Sequence, residues 1–181
     1  LHEYIRAAAA WWWHGDADGI YLFNLFTHHE ESGVGPLDKK VVYAPLMDIG
    51  DPAVLSGKDK LYGIDASSSM YSQGAEAAAL PVPLDIHERR LPLNVGPDAN
   101  EPSARFTIHA WTTGGNTDTK VWMRLNHTLL EPLCQGGHCI AEVPAGTMRV
   151  GRNELAMFCD AELEKTASPI IVHEILASAT Y

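Results

Sequence analysis

Histidines, carboxylates and cysteines are the side chains here with chemistry to offer, and they gather at two places in this 181-residue chain. The first is the run Asn24, Thr27, His28, His29, Glu30 and Glu31, where imidazole and carboxylate stand side by side. Imidazole titrates near neutral pH, shuttles protons and binds metals through a ring nitrogen. Neighbours on an extended chain point to opposite sides, however, so His28 and His29 are poorly placed to share one ion. His87, His109, His127 and His138 are scattered, and nothing in their spacing brings them together. No metal site and no cofactor is expected. The second place is Cys134 and Cys139, which flank Gln135-Gly136-Gly137-His138. A zinc knuckle would need two more ligands at matching spacing, and the sequence has none. That leaves one loop disulfide, or three free thiols counting Cys159.

Other chemistries are disfavoured by what is missing. There is no Gly-rich phosphate loop, no Gly-x-Ser-x-Gly elbow and no His-Glu-x-x-His, which counts against nucleotide, esterase and zinc-protease activities. Asn126-His127-Thr128 matches the N-glycosylation sequon. Lys plus Arg is 13 against 23 for Asp plus Glu, a net charge of -10. Nucleic acid and anionic membrane surfaces are therefore excluded as partners, because both need a basic face. No apolar run approaches the roughly 20 residues of a membrane span.

The elements that must position these residues fall into two styles. The chain opens at Leu1 with no Met, no basic n-region and no signal-type apolar run, and enters a helical pattern at once. This suggests a mature form, an excised module or the C-terminal piece of something longer. Residues 1–14 are rich in Ala and Trp and read as a helix, with Gly15 as its left-handed stop. Ile20-Tyr21-Leu22-Phe23 is a short continuous apolar run, the pattern of a strand buried on both faces. Helix, short loop and strand together make one unit of a parallel sheet. A second helix is expected over about 42–62, with Asp51 as N-cap and Pro52 at its first position. Val54, Leu55, Leu61 and Tyr62 would share one side of it. After residue 63 prolines multiply and short alternating segments take over. Residues 105–110, 120–125, 139–143, 154–159 and 169–176 read as strands of an antiparallel sandwich, with Thr113-Gly114-Gly115-Asn116 as a turn. The expected fold is mainly β: a β-sandwich (66–181) preceded by an α/β segment (1–62).

The run Ala7-Ala8-Ala9-Ala10-Trp11-Trp12-Trp13, followed by Asp16-Ala17-Asp18-Gly19-Ile20-Tyr21-Leu22-Phe23-Asn24, resembles the last helix–strand step of a glycoside-hydrolase-like (β/α)8 barrel. Ile49-Gly50-Asp51-Pro52-Ala53-Val54-Leu55, with Lys58-Asp59-Lys60-Leu61-Tyr62, is similar to the closing helix. Arg149-Val150-Gly151-Arg152-Asn153-Glu154-Leu155 is typical of the β-sandwich domains that follow such barrels. The resemblance implies that Ile20 to Phe23 is the eighth strand. Asn24, Thr27, His28, His29, Glu30 and Glu31 would then sit at the barrel mouth, where active sites lie. There Asn24 would hydrogen-bond sugar hydroxyls, and His28 or His29 would meet ligand. Seven strands of such a barrel are absent, and with them the paired carboxylates that cleave glycosides. Glu30 and Glu31 cannot replace that pair, which must flank a sugar ring at about 5 Å or at 6.5–9.5 Å.

Aromatic residues bear on the same reading. Trp11, Trp12 and Trp13 occupy three successive helical positions and cannot share one face, so packing explains at least two of them. Trp111 and Trp122 fall on sandwich strands, where the core is the first expectation and a carbohydrate platform the second. The sequence thus points to the C-terminal region of a glycoside-hydrolase-like protein that binds carbohydrate without cleaving it unaided. Its rivals are a structural module that self-associates through the Trp-rich N-terminal segment, and a small enzyme using residues 24–31. The acidic, Cys-poor composition fits a secreted or periplasmic bacterial protein.

Overall fold

Alternating segments dominate the chain after residue 60, and they pair as antiparallel strands. The computed structural model describes residues 2–21, 43–64, 80–115, 119–162 and 168–181. The larger sheet runs in the order β1 (Lys60–Ile64), β10 (Ile171–Thr180), β4 (Arg105–Thr113), β8 (His138–Val143) and β7 (Leu133–Gln135). A two-residue strand, β2 (Val82–Pro83), also pairs with β10. The smaller sheet runs β3 (Arg89–Val95), β9 (Gly151–Cys159), β5 (Val121–Leu125) and β6 (Thr128–Leu130). Every pairing among the described residues is antiparallel.

Period-two alternation sorts the side chains. Phe106, Ile108 and Ala110 of β4 point inward, as do Ile175, Ala177 and Ala179 of β10. They meet Leu91, Leu93 and Val95 of β3, Met123 and Leu125 of β5, and Leu155 and Met157 of β9 in one core. β3 carries Pro92 opposite Glu154, which the ladder tolerates because β3 is an edge strand.

Two asparagines pin the smaller sheet and explain the Gly-Arg-Asn phrase. Asn153 is almost fully buried; its Oδ1 accepts from the Arg149 amide at 2.9 Å and from Asn126 Nδ2 at 3.0 Å. Asn126 stands in the left-handed region at φ 55° and closes the turn between β5 and β6. Its Nδ2 also donates to the Thr147 carbonyl at 2.9 Å, and its Oδ1 accepts from the Glu154 amide at 3.1 Å. The amide of the glycosylation sequon is thus already engaged.

The N-terminal part differs from expectation in several respects. Helix α1 (His2–His14) forms as read, but its left-handed stop is Asp16, at φ 58°, and not Gly15. The Ala17 amide donates back to the Trp12 carbonyl at 3.2 Å and the Asp16 amide to that of Trp13 at 3.2 Å, the Schellman pattern. Ile20 and Tyr21 belong to no strand, and Tyr21 is 84% exposed. The doubly buried strand is therefore not what the described half of that run forms; Leu22 and Phe23 lie outside the described residues.

In place of the single helix expected over 42–62, the described residues from Leu46 on form two short ones, α2 (Leu46–Ile49) and α3 (Pro52–Leu55), followed by β1. Asp51 caps α3 as read, accepting from the Ala53 amide at 2.8 Å. Gly57, at φ 69°, then turns the chain out of the helix. Leu61 and Tyr62 consequently sit on opposite faces of a strand. β1 runs across the boundary placed between residues 62 and 66, so the larger sheet takes its edge strand from the segment assigned to the N-terminal unit. Helix α1 packs along that edge, with Ala7 joining the core beside Tyr62. Trp13 Nε1 donates to the Ile49 carbonyl at 2.8 Å, which ties α1 to α2.

Candidate functional site

Asn24, Thr27, His28, His29, Glu30 and Glu31 all lie outside the described residues. Three other places in the fold bring candidate side chains together.

The first is a groove of about 370 Å3 between α1 and the β1–β10 edge. Tyr4 and Trp11, seven residues apart, fall on one face of α1. They line the groove with Ala7 and Ala8, above Leu61, Gly63 and Leu176 of the sheet. Glu174 and Asn94 supply its polar groups, and Tyr4 Oη donates to Glu174 Oε1 at 3.4 Å. Gly63 keeps the floor low: a Cβ there would stand 3.3 Å from Leu176 and 3.4 Å from the Tyr4 ring. Aromatic rings beside a carboxylate and an amide suit a ligand with apolar C–H faces and a rim of hydroxyls.

The second place is a buried ionic network behind a smaller cavity of about 220 Å3. Lys60 and Asp98 are 1% and 3% exposed, with Lys60 Nζ 2.6 Å from Asp98 Oδ1. Nζ also donates to the Leu55 carbonyl at 2.6 Å and that of Lys58 at 2.9 Å. Tyr62 Oη donates to Asp98 Oδ2, and Tyr181 Oη to Asp98 Oδ1. Burial, reinforced by the Asp98 carboxylate, pushes both phenols well above their usual range. Among the described residues no buried side-chain polar atom lacks a partner. The network is closed on itself and joins the end of α3, β1, the 3-10 turn at Pro97–Asn100 and the residue after β10. Its chemistry is structural.

The third place is the outer face of the larger sheet. Trp111 stacks on His138 with ring centroids 4.6 Å apart and planes inclined by 13°. His109 completes the group, 6.0 Å from Trp111 and 5.4 Å from His138. Register makes this cluster: Trp111 lies opposite His138 and His109 opposite Ile140, and alternation turns all three outward. Burial, with a smaller contribution from His138, lowers the His109 pKa below the usual imidazole value. The core reading of both sandwich tryptophans is corrected, since alternation places each on an outer face. Trp122 lies half-buried against Phe158, centroids 6.4 Å apart.

No sequence signal joins Lys60, Asp98 and Tyr181: a helix is expected where β1 runs, and the partners stand 38 and 83 residues apart. Sequence reasoning names His109, His138 and Trp111, but not their contact. Cys134 and Cys139 are bonded across the β7–β8 pair, which settles that alternative, and Cys159 is free and buried. Among the described residues no helix is long and apolar enough to cross a membrane. In comparisons with known proteins, no family model and no curated sequence matches the chain.

Proposed function

We propose that this chain is the C-terminal region of a glycoside-hydrolase-like protein: a terminal barrel unit followed by a β-sandwich accessory domain. It binds or positions carbohydrate, and the catalytic carboxylates lie outside it. The observation that carries this reading is the groove between α1 and β1. Tyr4 and Trp11 offer aromatic rings to the C–H face of a sugar, while Glu174 and Asn94 offer acceptors and a donor to its hydroxyls. The Cys134–Cys139 bond fits an oxidising compartment, and so a secreted or periplasmic setting. Calorimetric titration with a panel of soluble oligosaccharides tests the reading. Heat that disappears in Trp11→Ala supports it; no heat from any glycan overturns it.

A second reading is favoured by a separate observation. Trp12 and Met47 are 45% and 82% exposed on the N-terminal segment, apolar side chains open to a contact. In this reading the segment joins two copies of the chain. Light scattering decides it: a mass that doubles with concentration, and stays monomeric in Trp12→Ser, supports self-association. A constant monomer mass overturns it.

A further inference from the structure

The geometry points to a metal-binding site that the sequence spacing hides: His109 and His138 form a two-imidazole chelate for a borderline divalent transition-metal ion, Cu2+ before Zn2+. Nδ1 of His109 stands 3.3 Å from Nε2 of His138. Two nitrogens bound to one ion at about 2.0–2.1 Å stand about 3.3 Å apart in tetrahedral geometry and about 2.9 Å apart at the right angles of tetragonal Cu2+, so the pair has the separation of a tetrahedral site and closes by about 0.4 Å for copper. The ring centroids are 5.4 Å apart against 3.3 Å for the nitrogens, and the planes differ by only 16°. The two nitrogens are therefore the facing edges of their rings.

One tautomer suits a metal, and the neighbours accommodate it. Ser178 Oγ donates to the Thr107 carbonyl at 3.4 Å, which leaves its oxygen to accept from Nε2–H of His109, also at 3.4 Å. His109 then carries its proton on Nε2 and presents the Nδ1 lone pair to His138, the hydrogen-bonded orientation typical of ligating histidines. Without metal, His138 Nε2–H donates to that lone pair. On binding, the His138 proton moves to Nδ1 through solvent and the ion takes its place between the rings, with no net proton released. Stacking on Trp111 holds the His138 ring in position.

Imidazole suits Cu2+, Ni2+ and Zn2+ and not Mg2+ or Ca2+, and divalent affinity rises toward copper. The net charge of -10 favours a cation generally. Among the described residues no third His, Cys, Asp or Glu completes the site. The remaining positions would be filled by water or by a donor from another molecule, which leaves the ion open to exchange its ligands.

The test is titration of the intact protein with CuCl2 and, separately, ZnCl2. It is read by the quenching of fluorescence that Trp111→Phe removes, and by side-chain 15N shifts of the imidazoles. Expected are saturable Cu2+ quenching, 15N shifts under diamagnetic Zn2+ confined first to His109 Nδ1 and His138 Nε2, and no response to Mg2+. His109→Ala and His138→Ala should each weaken binding by at least about 10–100-fold, since losing an outer-shell partner alone costs a metal site that much. His127→Ala, exposed on the β5–β6 turn, should leave it unchanged. Both imidazole variants lie on an outer face, and a circular dichroism melt confirms that they fold. Unaltered Cu2+ affinity in both variants, or 15N shifts at other histidines alone, overturns the proposal.

Discussion

Removing the charge of Lys60 should destabilise this fold more than any surface ion-pair change. Lys60 and Asp98 are almost wholly buried, and Nζ satisfies the carboxylate and two carbonyls at once. Breaking a buried pair by deleting one partner costs about 3–5 kcal/mol, since the survivor is left charged in a poor solvent. In Lys60→Met the survivor is Asp98, which keeps the hydroxyl donors of Tyr62 and Tyr181. The loss should fall at the low end, about 3 kcal/mol. Asp98→Ala removes the acceptor of three donors: the buried Tyr62 hydroxyl loses its acceptor, and Lys60, left with two carbonyls, loses its counter-ion. Each unsatisfied buried group adds about 1–3 kcal/mol, so a total of about 5 kcal/mol is expected. Tyr181→Phe gives up one hydrogen bond at a half-exposed ring and should cost about 1 kcal/mol. At about 2–4 °C per kcal/mol for a chain of this length, Tm should fall by about 6–12 °C in Lys60→Met and about 10–20 °C in Asp98→Ala. Scanning calorimetry reads the melting temperatures, and urea titration the free energies. A Lys60→Met change within about 0.5 kcal/mol, the scale of a surface substitution, would refute the buried network. So would an Asp98→Ala variant more stable than Lys60→Met.

The same network sets alkaline behaviour. Tyr62 and Tyr181 hold their protons in the folded state above their unfolded value of about 10, so their stabilisation is complete below that pH and is lost as pH rises above it. Stability measured between pH 8 and 11 should decline less steeply in Tyr62→Phe, and phenolate absorbance from both rings without unfolding would contradict this. Asp48 governs the acid side. Burial pushes its carboxyl up, but the hydrogen bonds from Lys58 Nζ at 2.5 Å and Arg6 Nε at 2.8 Å outweigh burial and hold it below the usual carboxylate range. Its contribution is present above pH of about 4 and disappears as pH falls through the lowered folded value. Asp48→Asn should therefore reduce stability at neutral pH and flatten the acid limb of the unfolding curve. Because the Asn126 amide is held by Thr147, Asn153 and Glu154, the sequon should stay unmodified in a eukaryotic secretory host. Intact mass checks this, and a glycan-sized increment that Asn126→Gln abolishes would show the turn opening.

Strands with clean alternation were legible because each has one face in the core and one outside. Residues 105–110 and 139–143 announced β4 and β8, and the Val/Ile run from 169 announced β10. β3 was not legible, since Pro92 argues against a strand unless the strand lies at an edge, and edges are fixed only by topology. β1 was masked by its neighbours. Asp51-Pro52 is a strong helix start, and the chain after it holds nothing that forbids a helix except Gly57, whose left-handed backbone ends α3 after one turn. Lys60 compounded the error, because a lysine in a helical reading belongs on the solvated side. What buries it is Asp98, 38 residues away. The sites follow the same logic. The residue types at Trp111, His109 and His138 were visible, but chemistry depends on a ring-to-ring contact that β4–β8 register creates. A slip of one residue in that pairing would send His138 into the core and dissolve the pair. Residue type is local and so can be read from the chain; partnership is a property of sheet order, and here it decides which histidines meet.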